Sequence, residues 1–359
     1  PTDAMNLADS LVATSGVVSV DSAADIQGVT GYDASGSSYT VSDTAGAILG
    51  DTATVIDDGV SHINVAGPVG AGVGVQLGVL EDASFETGYS ADINFNVVDD
   101  ANDITAALSG DTTGAMDNAA SMIVSGGTAT VTDAADIQGV AEYDSGASSY
   151  TITDSADAVL TASNESTILN DGVSGVVVTD ATGAGYVDAS DGEALSELEG
   201  LLQTATNDSA ADIEFRVEDD AAAIAAVLNG DRDALDGAND LDVTGGTTTV
   251  AGAADIQSSG AYDAANSDYT ITDTAGAILG DTATAIDDGV STINVDGPVG
   301  AGVGVQLGQL EDASFETGYS ADINFNVVDD ANDIAAALSG DTTDAMDNAA
   351  SMIVSGGTA

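Results

Sequence analysis

The chain has 359 residues, and its 61 Asp and Glu face two Arg, one His and no Lys, for a formal net charge of −59 at pH 7. That balance excludes nucleic acid, whose phosphates need cationic partners, and excludes docking on an anionic membrane surface. The absence of Cys excludes a disulfide framework and thiolate metal sites. Acidity of this kind repels itself unless salt or cations screen it, which points to a saline or calcium-containing exterior. Yet 43% of the residues are hydrophobic, and Val, Ile, Leu and Thr recur periodically, so the chain can build a core and is not acidic disorder.

Residues 1–16 read as the tail of a preceding repeat. Thr2-Asp3-Ala4-Met5 matches Thr343-Asp344-Ala345-Met346, and both lead to an apolar strand that ends at Gly. Gly356-Gly357-Thr358-Ala359 repeats Gly126-Gly127-Thr128-Ala129, which runs on into another copy. Both ends fall inside the pattern, so the expectation is a window on a longer periodic protein. Three copies lie between: repeat 1 at 17–127, repeat 2 at 128–246, and repeat 3 at 247–359, running into the next. Repeats 1 and 3 are nearly identical from Tyr39 and Tyr269 onward. Repeat 2 is diverged, with an expected inserted helix near 191–203, where Ala194, Leu195, Leu198, Leu201 and Leu202 share one face and Asp191 is a cap.

The clearest unit runs from Asp92 to Ile104. Ile93, Phe95 and Val97 alternate with Asn94 and Asn96, the pattern of a half-buried strand, so the three apolar residues are expected inside. An Asp pair then caps a helix continued by Ala101, Ile104, Ala107 and Leu108. The unit returns at Ile213–Asp220 and at Ile323–Asp330. A finer repeat, Val-x-Asp-x-Ala-x-x-Ile, places such corners roughly 20–35 residues apart, the period of solenoids. The predicted fold is therefore a β-rich solenoid repeat protein with short parallel strands and short helical turns. The alternative is a string of tandem β-sandwich beads, since the longer period is also the size of an immunoglobulin-type domain. No run spans a bilayer; the nearest, 67–80, is rich in Gly.

Lines such as Tyr39-Thr40-Val41-Ser42-Asp43-Thr44-Ala45 and Tyr269-Thr270-Ile271-Thr272-Asp273-Thr274-Ala275 resemble the Ala/Asp/Thr-rich tandem repeats of giant bacterial cell-surface and secreted proteins, adhesin-like and fibre-forming. The resemblance covers nearly the whole chain and implies an adhesive or structural role. The Gly-Gly-x-Gly-x-Asp signature of calcium-binding toxin repeats is absent, so calcium does not carry over from that class.

The acidic corners are the candidate metal sites: Asp99, Asp100 and Asp103; Asp219 and Asp220; Asp329, Asp330 and Asp333. Carboxylates so closely spaced can supply oxygen ligands to Ca²⁺, which tolerates irregular loops. The competing reading is that one Asp caps the helix and the others sit near its positive end. Asp57-Asp58-Gly59 and Asp287-Asp288-Gly289 read as turns. His62 is replaced by Thr292 in repeat 3 and reads as a surface residue. Arg216, on the outward face of its strand, is expected to pair with Glu214 or Glu218. Gly70-Ala71-Gly72-Val73-Gly74 lacks the Lys of a phosphate loop, and no Ser-His-Asp set or zinc motif can be assembled. Asn64, Asn94 and Asn96 are placed to stack as a polar ladder outside a sheet.

Together these readings predict a non-catalytic structural repeat segment of a cell-surface fibre, layer or giant adhesin, extracellular and tuned by cations. Its partners would be neighbouring repeats or further copies of itself, with surface glycans as an extension and neither nucleic acid nor membrane insertion. The alternative is a polysaccharide-processing or glycan-binding β-helix protein. An enzyme of that kind needs basic residues near an acidic substrate, so Arg216, Arg232 and the acidic corners would have to converge in one cleft.

Overall fold

Strands form where apolar residues alternate with polar ones, and many stop at an Asp. In Tyr39–Asp43, Tyr39 and Val41 are buried while Thr40 and Ser42 are half-buried. In Asp322–Asp329, Ile323, Phe325 and Val327 point inward. Phe95 is 1% exposed and Phe325 0%, so the inward register expected from the alternation holds in both copies. The computed structural model describes residues 9–86, 92–179, 185–208, 210–229, 231–316 and 321–357. Half of the proposed leading tail, residues 1–8, lies outside the described residues, as do Thr358 and Ala359.

The described strands form three sheets, of four, five and seven strands, parallel throughout. By their contacts the residues fall into two compact units: 1–154 with 161–176 and 202–211, and 155–160 with 177–201 and 212–359. In the first unit, the four-stranded sheet takes Val17–Val18, Tyr39–Asp43, Val60–Val65 and Asp92–Asn94 in sequence order. Its registers include Val41↔Ile63 and Ile63↔Ile93, so each buried residue stacks on the next. A second sheet begins with Asn96–Asp99, Ser121–Ala129 and Ser149–Asp154. In the second unit, the seven-stranded sheet runs from Tyr186–Val187 through Arg216–Asp219, Asp240–Thr248, Asp268–Asp273, Val290–Val299 and Asp322–Asp329 to Ser351–Val354.

A parallel neighbour requires the chain to cross back, and here helices make the crossing. This overturns the expected architecture. The chain is an α/β protein, with 15 α-helices and parallel-only sheets among the described residues. It is neither a β-rich solenoid nor a string of β-sandwiches, whose sheets are antiparallel. The filament reading, which rested on stacked β-coils, falls with the solenoid.

The reason lies in the segments taken for turns and Gly-rich loops. Ala71–Glu86 and Ala301–Glu316 are helices of 16 residues, and Ala189–Thr206 is one of 18. The helix read as an insertion in repeat 2 therefore has counterparts in both other repeats, and its cap is Asp188, whose Oδ1 accepts from Asp191 N–H at 2.9 Å. Glycine lowers helix propensity, which hid these helices, but packing demands it. Gly70, Gly74 and Gly78 are four residues apart and share a face. A Cβ on Gly74 would meet Val97 Cγ2 at 2.7 Å, and one on Gly78 would lie 1.9 Å from the Ala115 carbonyl oxygen. The missing side chains let the helix settle against the strand and the short 3₁₀ turn Ala115–Asn118.

Candidate functional site

The repeated Asp at the end of each Val-x-Asp strand does more than start the next helix. Its Oδ2 accepts the backbone N–H of the first residue of an earlier helix, 23 to 30 residues back. Asp43 takes Val20 N–H at 3.1 Å, Asp99 takes Ala71 at 2.9 Å and Asp154 takes Val131 at 3.0 Å. In the second unit Asp219 takes Ala189 at 3.1 Å, Asp273 takes Val250 at 3.1 Å and Asp329 takes Ala301 at 3.0 Å. The first amides of a helix have no partner within it, so an anionic oxygen there satisfies an orphan donor and faces the positive end of the helix dipole. In Asp43, Asp99, Asp219, Asp273 and Asp329 the other oxygen accepts the next residue's N–H, those of Thr44, Asp100, Asp220, Thr274 and Asp330, at 2.7 to 3.1 Å. One carboxylate thus clips a strand end to a neighbouring helix.

The next residue in the chain caps its own helix. Asp100 Oδ1 accepts from Asp103 N–H at 3.0 Å. Asp220 Oδ1 accepts from Ala222 and Ala223, both at 2.9 Å, and Asp330 Oδ1 from Asn332 and Asp333 at 2.8 and 3.0 Å. Thr44 and Thr274 cap with their hydroxyls, as do Thr130 and Thr249 at the starts of the helices that Asp154 and Asp273 clip. Behind this corner the strand Ser121–Ala129 bulges between Ser125 and Thr128. There Gly127, at φ +82°, passes so close to Ala101 N that a Cβ would stand 2.9 Å away.

The predicted metal residues are all found at these corners. Asp99, Asp100 and Asp103 bring carboxylate oxygens within 4.8 Å of one another, but both oxygens of Asp99 and one of Asp100 already accept backbone N–H groups. Asp219 with Asp220, and Asp329 with Asp330, are occupied in the same way. Asp333 has its carboxyl pushed up by the charges of Asp330 and Asp329, the mark of like charges crowding an exposed corner.

Other sequence readings find definite places. Asp57 Oδ1 accepts from Gly59 N–H at 2.9 Å, the expected turn, and also from Tyr32 Oη–H at 2.6 Å. Tyr262 makes the same bond to Asp287. His62 is exposed. Asn64 and Asn94 are register partners on the outer face, and in repeat 3 Asn324 Nδ2 donates to Asn294 Oδ1 at 3.2 Å. Arg216 lies over the Tyr186 ring, 5.7 Å from its centroid, instead of pairing with a flanking Glu. Arg232 is paired with Asp255 at 2.7 Å.

Two features escaped the sequence reading. One is a Gln–Tyr tie: Gln27 Nε2 donates to Tyr39 Oη and to the Thr54 carbonyl, both at 2.8 Å, with Gln138 and Gln257 repeating it. Its signal was the fixed spacing of 12 between Gln and Tyr. The other is a second acidic group, Asp240, Asp242 and Asp263, with oxygens within 4.8 Å of one another. Among the described residues no helix is long and apolar enough to cross a membrane. Compared with protein-family models, with curated proteins and with solved structures, the chain finds no match.

Proposed function

We propose that the chain is a non-catalytic structural repeat segment of an extracellular, cell-surface protein, with neighbouring repeats or further copies as its partners. The observation that carries this reading is the Asp clip, the same device at equivalent positions in each of the three repeats. A device repeated along a chain serves the chain's own continuity, whereas a catalytic centre is one constellation in one place. The clips also suit a salty exterior. They tie carboxylates to backbone donors rather than to Lys or Arg, so the fold keeps its negative surface with little reliance on ion pairs that salt would weaken. Screening by Na⁺ or Ca²⁺ then relieves the repulsion that remains.

The polysaccharide-processing alternative has less behind it. Arg216 lines a hollow with Val178, Gly185, Glu214 and Asn239, while Arg232 lines another with Asp233, Asp236, Ser258 and Gly260. Both guanidinium groups are already engaged, so they are poorly placed to receive an acidic sugar together. The test is antibody labelling of the source cells before and after lysis, combined with incubation of the purified chain with acidic polysaccharides. Labelling of intact cells without polysaccharide cleavage is expected. Signal only after lysis, or cleavage of a polysaccharide, would contradict the reading.

A further inference from the structure

The outer face of the strands at the end of repeat 2 departs from the repeat. In repeat 1 the aligned positions hold Pro68, Asn96, Val98, Ser121 and Ile123, and repeat 3 has Ile353 where repeat 1 has Ile123. Repeat 2 has Tyr186, Arg216, Glu218, Asp240 and Asp242 instead, with Arg216↔Asp240 and Glu218↔Asp242 as register partners. The position of Asp242 is aliphatic elsewhere, Val12 included, since Leu11, Met122 and Leu241 form the equivalent bridges to Tyr32, Tyr143 and Tyr262. A carboxylate has been put where the frame otherwise puts a hydrocarbon.

That carboxylate is also buried. Asp242 is only 7% exposed, and its Oδ1 is buried with no hydrogen-bond partner. Its Oδ2 accepts from Tyr186 Oη–H at 3.1 Å. Asp240 and Asp263, both half-buried, bring their oxygens within 4.8 Å of it. Asp263 is held in place: its Oδ1 accepts from Ala265 N–H at 2.9 Å and its Oδ2 from Asn266 Nδ2 at 2.8 Å, while its own N–H reaches the Leu241 carbonyl. Burying an ionised oxygen without a partner is costly, and two further carboxylates alongside make it costlier. The nearby cation, Arg216, lies over the Tyr186 ring, and no ion pair between it and Asp242 is found among the described residues.

We propose that Asp240, Asp242 and Asp263 form a calcium site, with the orphan Oδ1 of Asp242 as its buried ligand. Oxygen-only donors suit a hard cation, and Ca²⁺ at about 2.3–2.6 Å accepts opposed ligands nearly 5 Å apart, with water completing its irregular shell. The hydrogen bonds to Asp263 and from Tyr186 orient the ligands, as outer partners do in metal sites. The site differs from the strand-end corners in holding a buried carboxylate oxygen with no hydrogen-bond partner, Asp242 Oδ1.

The test uses Tb³⁺, a luminescent stand-in for Ca²⁺ that a neighbouring tyrosine sensitises, here Tyr186. The full chain is titrated with Tb³⁺ in excess NaCl to suppress diffuse binding, then back-titrated with Ca²⁺. Saturable luminescence that Ca²⁺ displaces is expected. Asp242→Asn and Asp263→Asn should each weaken Ca²⁺ binding by about tenfold or more. Asp242→Ile, which installs the residue the fold already carries at 123 and 353, should abolish the signal while leaving the circular dichroism spectrum unchanged. Asp99→Asn, at a clip, should leave the signal in place. Binding unchanged in Asp242→Ile, or loss of the signal in Asp99→Asn alone, would overturn the assignment.

Discussion

Repeats 1 and 3 differ from the middle repeat in a way that separates frame from surface. All three keep the Asp clip, the capped helix behind it, the Gln–Tyr tie and the buried Phe of the central strand, at Phe95, Phe215 and Phe325. What changes is what faces outward and one packing contact. Repeats 1 and 3 set Gly78 and Gly308 under the short turn, and Asn118 and Asn348 donate to those glycine carbonyls at 3.2 and 3.3 Å. The middle repeat has Ser196 and Gly237 at the equivalent places, and a Cβ on Gly237 would meet Ser196 Oγ at 3.1 Å. Bulk has moved from the turn to the helix. The comparison teaches that divergence is tolerated where volume is exchanged within a contact, while the clips stay constant.

The sharpest way to break that comparison is to add bulk on one side only. Gly78→Ala should destabilise the chain by about 2–3 kcal/mol, because its Cβ collides with backbone at Ala115 rather than with a movable side chain. Gly78→Ser with Asn118→Gly, the middle repeat's combination, should cost less than the sum of the two single changes. Denaturant midpoints measure both, and strict additivity would show that the exchange is not compensated.

A clip comes next in size. Asp99→Ala leaves the amides of Ala71 and Asp100 without their acceptor and should cost roughly 1–3 kcal/mol. Asp219→Ala and Asp329→Ala should cost about as much, since their geometry is the same. Equal losses in chemical denaturation would sharpen the claim that the frame is common to all three repeats. A loss confined to one repeat would break it.

The smallest effect is in pH. The Glu81 carboxyl is pushed up from its ordinary 4.5 to about 7, first by burial and then by the charges of Asp92 and Asp82 against a bond from Ile93 N–H. Glu311 in repeat 3 is likewise pushed up to about 7 by burial and by Asp322 and Asp312. The folded state therefore binds protons that the unfolded state has released, and stability falls as pH rises from about 4.5 to 7. Melting temperature should rise on acidification through that window, and Glu81→Gln should flatten part of the slope. An unchanged slope in Glu81→Gln would assign the effect to general charge repulsion.

Much of this frame was legible in the sequence because it is local. A strand that ends in Asp, followed by Ala and Ile at helical spacing, carries its own cap, and Asp100, Asp220 and Asp330 are where that pattern put them. The clip was illegible because its donor lies 23 to 30 residues earlier and is a backbone N–H, which leaves no residue-type signal. The 16-residue helices were illegible because their glycines, needed for close packing against Val97 and Ala115, argue against a helix in isolation. That error turned an α/β fold into an expected β-rich one. Asp242 was passed over because an Asp in a strand flanked by Asp240 reads as solvent-facing, and only the fold shows its oxygen closed off from water.

The central claim is that strand-end carboxylates hold the strands and helices of each repeat together through helix-start amides. Native-state hydrogen exchange followed by NMR tests it directly, at the amides of Val20, Ala71, Val131, Ala189, Val250 and Ala301. First-turn amides ordinarily have no helical partner and exchange quickly. The account predicts protection at all six positions, lost at Ala71 alone in Asp99→Ala. Fast exchange at these amides in the unaltered chain would contradict it.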